Sequence, residues 1–272
     1  MTGTGTAGGC WQVHALKYAE RDARTRADSF MFDDDHAAVH PMDYFVWVLR
    51  RGSETLLVDT GYDGTEAGNR GRPILRDPVE ALREIGIEAS AITTVIVTHL
   101  HYDHAGGLAA FPDATLHLQA AEMAYATGPC MCHDVLRMPY TAGHVCDAVR
   151  RVHAGRVMFH DGDGEVADGV TVHRIGGHSR GLQAVRVRTQ AGWLCLASDA
   201  THFYENALRG VPFPIVVDVQ DMLDGFRRLL ALADQPSLVV PGHDPLVTEL
   251  FPRDGPAYAF RLDRGPTGRF PF

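Results

Sequence analysis

Apolar positions in the first hundred residues fall into short runs. Residues 11–16 and 44–49 gather Trp, Val, Leu and Phe without a helical repeat, which predicts two strands. Arg51-Gly52-Ser53-Glu54 then turns the chain, and Thr55-Leu56-Leu57-Val58-Asp59 reads as the hairpin partner. Asp77-Pro78 supplies a cap and a first-turn proline, and the spacing of Val79, Leu82 and Ile85 predicts a short helix before Gly86. The run Thr93-Thr94-Val95-Ile96-Val97 is β-branched and short, so it predicts a buried strand ending at Thr98.

The alternation continues downstream. Residues 114–118 read as a strand and 119–125 as a helix, while 170–175, 184–187 and 193–197 read as three further strands. Helical spacing runs through Val219, Met222, Phe226, Leu229 and Leu230, and Leu238-Val239-Val240 is a last short strand. The class is mixed α/β. No linker or repeat divides the chain, so residues 1–272 read as one domain with an irregular insertion at about 127–168. That insertion and the loop 27–40 are the least regular parts and are expected to overhang a site.

Composition narrows the options. A chain of 272 residues, 45% hydrophobic and 22% charged, can bury a substantial core. Its net charge of −9 and its lack of Lys/Arg clusters argue against nucleic acid as a partner. No apolar stretch approaches the roughly 20 residues that cross a bilayer, and residues 1–10 form a Gly/Thr run without a signal core. A soluble cytoplasmic protein is the expectation. Five cysteines, an odd number in a long chain, do not suggest a disulfide framework.

The chemistry concentrates after the 93–97 strand, in His99-Leu100-His101-Tyr102-Asp103-His104-Ala105-Gly106-Gly107. Three histidines and one aspartate within six positions can converge on a small volume without help from distant sequence. Imidazole nitrogen with carboxylate oxygen suits zinc, iron or manganese better than calcium or magnesium. Gly106-Gly107 offers the permissive backbone of a tight turn.

This string resembles the HxHxDH signature of the metallo-β-lactamase superfamily, and further matches follow in order. Asp59 in Leu57-Val58-Asp59-Thr60-Gly61 is similar to the early strand-end aspartate, and His178 in Gly176-Gly177-His178-Ser179 to the third histidine. Asp199 in Ala197-Ser198-Asp199-Ala200 is similar to the bridging carboxylate, and His243 in Pro241-Gly242-His243-Asp244 to the last ligand. The resemblance implies an αββα sandwich, two mixed β-sheets face to face with helices outside. It also implies two metal ions, zinc first with iron or manganese as alternatives. His99, His101 and His178 would hold one, Asp103, His104 and His243 the other, and Asp199 would bridge them. Asp59 would orient a motif histidine through its free ring N–H, or else cap the Thr60-Gly61 turn.

Within the superfamily the chain resembles the N-acyl-homoserine lactonase branch through His178-Ser179-Arg180-Gly181-Leu182-Gln183. That likeness implies a small-molecule substrate, a lactone or related ester, opened by a hydroxide bridging two metals. The branch commonly sets a tyrosine three residues after the bridging aspartate. Here the chain reads Asp199-Ala200-Thr201-His202-Phe203-Tyr204, so His202 holds that position and Tyr204 lies two beyond. Asp103 and Asp199, with His202 or Tyr204 as oxyanion donor, are the candidate catalytic residues. Thioesters, β-lactams and phosphodiesters remain open as substrates, as does a non-hydrolytic iron protein, and a homodimer is compatible with the sequence. Met131, Met138 and Tyr140 are expected to line a pocket wall. Cys130-Met131-Cys132-His133 lacks the second pair of a zinc knuckle, and Asp33-Asp34-Asp35-His36 reads as a solvated turn.

Overall fold

The computed structural model describes residues 9–272. Residues 1–8, most of the Gly/Thr run in which no signal core was read, lie outside the described residues. The strands of the first half are β1 (Gln12–Arg21), β2 (Met42–Arg51), β3 (Glu54–Val58), β4 (Thr94–Ile96), β5 (Thr115–Gln119) and β6 (Val157–His160). Those of the second are β7 (Gly164–Ala167), β8 (Val170–Arg174), β9 (Gln183–Thr189), β10 (Gly192–Ser198), β11 (Val239–Pro241) and β12 (Ala259–Arg261). The helices are α1 (Gly64–Arg70), α2 (Pro78–Glu84), α3 (Tyr102–Ala105), α4 (Ala120–Ala126), α5 (Asp134–Arg137), α6 (Ala142–His153), α7 (Tyr204–Arg209), α8 (Val219–Leu232) and α9 (Leu246–Leu250).

Two mixed sheets result. The first runs β12-β1-β2-β3-β4-β5-β6 and the second β11-β10-β9-β8-β7. The period-two alternation of a strand explains how they pack. On β2, Phe45, Trp47 and Leu49 face the second sheet, where they meet Val170, Val172, Val185 and Leu196. Their neighbours Tyr44, Val46 and Val48 face outward and are covered by Ala81 and Leu82 of α2 and by Val145 and Ala148 of α6. Ala184, Cys195 and Ala197 on the outer face of the second sheet are covered by Leu229 of α8. The layers are therefore α, β, β and α, as expected.

Local signals placed most elements within a few residues. Asp77 Oδ1 accepts from the N–H groups of Val79 and Glu80 at the start of α2, and Asp218 caps α8 through Asp221 N. The segment 127–168 corrects the expectation of irregularity, because it contains α5, α6 and the edge strands β6 and β7. Helix α6 buries only Val145, Ala148 and Arg151, a stripe too narrow to stand out among its polar neighbours. The loop 27–40 does lack strands and α-helices. All five cysteines are free. No helix among the described residues is long and apolar enough to cross a membrane.

Candidate metal centre

The site lies at the carboxyl ends of strands that run side by side. β3 and β4 are parallel and deliver Asp59 and His99, while β10 and β11 are parallel and deliver Asp199 and His243. Crevices at such strand ends are the usual ligand positions of open α/β sheets. His178 enters from the turn after β8, and α3 carries Asp103 and His104. Gly106 and Gly107 follow α3 with ordinary negative φ values of −70° and −95°, so turn geometry is not what requires them. Close packing is: a Cβ on Gly106 would stand 2.9 Å from the Gly61 carbonyl oxygen, and one on Gly107 would collide with that of Thr60. Non-glycine positive φ occurs at Asp59 (59°) and Ser198 (47°), beside the cluster. Strain of about 1–3 kcal/mol at such a position persists only where the surroundings enforce it.

Hydrogen bonds to Nδ1 aim four rings inward. His178 Nδ1–H donates to the Ile215 carbonyl at 2.7 Å, and His243 Nδ1–H to that of Asp43 at 2.8 Å. His104 Nδ1–H donates to Asp59 Oδ2 at 2.7 Å. Thr98 gives its hydroxyl proton to the same oxygen, so its Oγ1 accepts from His99 Nδ1–H at 3.1 Å. Each ring therefore presents its Nε2 to the centre. Asp59 thus performs the orienting role expected of it.

The centre is left electrostatically incomplete by the protein alone. His99 Nε2, His104 Nε2 and Asp199 Oδ1 are buried without a hydrogen-bond partner, which is costly unless something else satisfies them. Four overlapping trios bring ligand atoms within 4.8 Å of one another: His99, His101 and His178; His99, His104 and Asp199; Asp103, His104 and His243; and His178, Asp199 and His202. Asp199 lies between them. Its Oδ1 is 3.2 Å from His104 Nε2 and 3.1 Å from His243 Nε2, while its Oδ2 is 3.3 Å from His178 Nε2 and 3.0 Å from His202 Nε2. Neither Asp59, Asp103 nor Asp199 has a Lys or Arg within ion-pair distance. Burial pushes His99, His101 and His178 below the ordinary histidine range, so these rings are neutral donors of a lone pair. Burial acts in the same direction on His104, but the carboxylates of Asp199, Asp59 and Asp103 outweigh it and raise its pKa well above the ordinary value. The nitrogen and oxygen donors, the orphaned lone pairs and the unbalanced negative charge fit a His/Asp metal site.

The two candidate donors separate. His202 is buried within the cluster, and its ring stacks on Phe213 with centroids 3.7 Å apart at 17°. Burial lowers its pKa to about 3, so the ring is neutral and its one N–H, on Nε2, points at Asp199. Tyr204 belongs to the core between the sheets, and its hydroxyl donates to the Ser237 carbonyl at 3.3 Å. The structure therefore does not bring Tyr204 to the centre. Met138 is 52% exposed and lines the cleft, as expected, whereas Tyr140 is buried with its ring edge against His101, centroids 4.5 Å apart. Tyr140 thus supports His101, and with Met131 and Met138 it also lines a cavity of the 127–168 segment, the wall expected of these three residues.

Glu122 was missed. Its carboxylate is fully buried and accepts four hydrogen bonds. Oε1 takes Leu100 N–H (3.0 Å) and Tyr140 O–H (2.9 Å), and Oε2 takes Ser179 O–H (2.7 Å) and Gly181 N–H (3.0 Å). It thereby ties the backbone between His99 and His101 to the residue after His178. Burial pushes this carboxyl above its ordinary range and the four donors pull it back. A glutamate at the head of an amphipathic helix looks like a solvated first-turn residue in sequence, so no local signal marks it.

Known proteins resemble this chain in sequence and fold. The pattern of the metallo-beta-lactamase superfamily matches residues 41–243. A probable metallo-hydrolase of Mycobacterium tuberculosis is 29% identical over 233 residues, covering 72% of each chain. An N-acyl homoserine lactonase of Bacillus cereus is 28% identical over 218 residues, 73% of this chain and 81% of the lactonase. Among solved structures, an N-acyl homoserine lactone hydrolase with N-hexanoyl-L-homoserine at its catalytic metal centre superposes with a TM-score of 0.71, at 23% identity over 88% of this chain and 95% of that one. A dizinc quorum-quenching lactonase gives 0.65, at 18% identity over 87% and 88%.

Proposed function

Because the chain belongs to the metallo-β-lactamase superfamily, we propose that it is a two-metal hydrolase that opens a small lactone or related ester ring. The observation carrying this reading is Asp199, which stands among four histidines: Oδ1 is 3.2 Å from His104 Nε2, Oδ2 is 3.3 and 3.0 Å from those of His178 and His202, and His243 Nε2 lies 3.1 and 3.2 Å from the two oxygens. In this reading His99, His101 and His178 hold one cation, Asp103, His104 and His243 the other, and Asp199 is shared. When bound, two such cations would supply an activated water at neutral pH and polarise the carbonyl that it attacks. The lactonase relatives support an ester ring as the bond broken, and the ligand set suits zinc, with iron and manganese next.

The chain's own residues orient and exclude. Asp59, Thr98 and the carbonyls of Asp43 and Ile215 hold the imidazoles in one tautomer each. His202 lines the cleft beside Asp199, and its single N–H, bonded to Asp199 at rest, would serve a developing oxyanion by turning from that carboxylate to it. Asp103, on the same cleft, would be suited to take the proton that the attacking water releases and pass it to the leaving alkoxide oxygen.

The test is a panel of γ-lactones, thioesters and phosphodiesters run on protein whose metal content has been measured. Expected are about two equivalents of transition metal per chain and lactone opening that a chelator removes and zinc restores. Asp199→Ala should lose both metals together. One tightly bound iron with no second metal, and no turnover of any ester, would reject the reading.

A further inference from the structure

Three guanidinium groups open onto the same cleft as the histidines. Arg21 ends β1, Arg24 lies in the loop that follows, and Arg72 lies just beyond α1, and all three line the space bounded by Asp103, Asp199 and His202. Arg24 is only 5% exposed, and its Nε and Nη1 are buried without a hydrogen-bond partner. Its one bond runs from Nη2 to the Asp28 carbonyl at 2.8 Å, because the Asp28 carboxylate is occupied by Thr25. Arg72 is held by the Tyr102 hydroxyl and lies 5.0 Å over that ring. Arg21 has no side-chain partner among the described residues.

Among the described residues no carboxylate forms an ion pair with any of the three, although the protein as a whole carries a net charge of −9. A buried, half-bonded guanidinium beside two like charges is unfavourable unless an anion completes it. Burial, with Arg21 and Arg72 adding to it, pushes the Arg24 pKa below the ordinary arginine value. Both acidic groups of the cleft, Asp103 and Asp199, are committed to cations in the proposed function. The adjoining surface is different in kind. It is built from Val135, Leu136, Met138, Pro139, Pro214 and Ile215, and it meets the cleft at His101 and His178.

We propose that the substrate of this centre is amphipathic, with an oxyanion group (carboxylate or phosphate) seated against Arg21, Arg24 and Arg72 and an apolar part along the adjoining apolar surface. The proposal rests on the hydrolase reading only for which bond is broken. The anion seat stands on the arginines themselves. A site built to pair a charged group rejects the analogue lacking it, because its own buried donors are then left unpaired.

Zinc-loaded enzyme is assayed with a γ-lactone carrying a pentyl chain and a ring carboxylate, and with the matching primary carboxamide. A phosphonate in place of the carboxylate distinguishes the two anion types. Binding of pentylsuccinate, which cannot be hydrolysed, is measured by calorimetry on the same protein. Expected is a preference for the anionic lactone of at least about tenfold in kcat/KM, carried by charge-assisted pairing. Arg24→Met should bring that ratio towards one and weaken pentylsuccinate about 10–100-fold, while Arg24→Lys keeps part of both. Arg72→Gln, at a less buried position, gives the same reading if Arg24→Met does not fold. A carboxamide opened as fast as the acid, or pentylsuccinate binding indifferent to both substitutions, overturns the anion seat and leaves the hydrolase intact. No turnover of either lactone, with Arg24-dependent pentylsuccinate binding, upholds the seat and rejects the hydrolase reading.

Discussion

Glu122→Gln changes one atom and should loosen both histidine-bearing loops. The carboxylate accepts two hydrogen bonds on each oxygen, from two backbone N–H groups and two hydroxyls. An amide keeps one accepting oxygen and turns its NH2 towards the other pair of donors. The hydroxyl in that pair can rotate and accept, but the backbone N–H, of Leu100 or Gly181, cannot. A buried N–H without a partner costs about 1–3 kcal/mol, and each remaining bond falls from a charge-assisted to a neutral one, losing about 1 kcal/mol. Relief from burying a charge offsets part of this, so the net loss is about 2–4 kcal/mol. For a chain of this size, that lowers Tm by roughly 5–15 °C. Since the bonded groups flank His99, His101 and His178, metal affinity should also fall, by about 10–100-fold as for other groups that orient ligands. Thermal unfolding of the metal-free protein and competition with a zinc-binding dye separate the two effects. An unchanged Tm and unchanged affinity would refute the network, and a lowered Tm with intact affinity would reduce Glu122 to a scaffold residue.

His202→Ala should lower kcat on the best lactone by on the order of 10–1,000-fold, with partial return in His202→Tyr; steady-state kinetics at full metal loading decide it, and an unchanged kcat would leave the metals as the oxyanion's only partners. Tyr204→Phe removes one hydrogen bond in the core and should cost about 0.5–1.5 kcal/mol in denaturant unfolding with kcat intact. Met138→Ala should raise KM without changing metal content, whereas Tyr140→Ala should release metal, since the phenol supports His101 and binds Glu122; inductively coupled plasma analysis distinguishes them. His117, in contact with His160 at 3.0 Å, has its pKa lowered to about 4 by burial and then by the neighbouring ring. The fold therefore favours the neutral form, and the unfolded chain takes up the proton first. The stability His117 contributes above pH 6.5 is lost as pH falls through 4, so His117→Gln should flatten the acid limb of a Tm–pH curve.

What the sequence determined by itself were features carried by neighbours in the chain. His99, His101, Asp103 and His104 follow one β-branched strand, so their convergence needs only a turn, and the caps at Asp77 and Asp218 are bonds to atoms two or three residues away. His178, Asp199 and His243 were legible through short strings in a fixed order. The rest depended on which distant surfaces the two sheets bring together. The regularity of 127–168 escaped because α6 buries a narrow stripe and β6 and β7 lie at sheet edges, where few positions must be apolar. Tyr204 and His202 are two residues apart, yet one turns into the core and the other into the centre, a choice made by Ser237 and Phe213. Glu122 and Arg24 each look like ordinary surface charges in the sequence. Only the folded chain removes their water, gives one four donors and leaves the other with two unpaired nitrogens, because desolvation belongs to the packed surface and not to the residue.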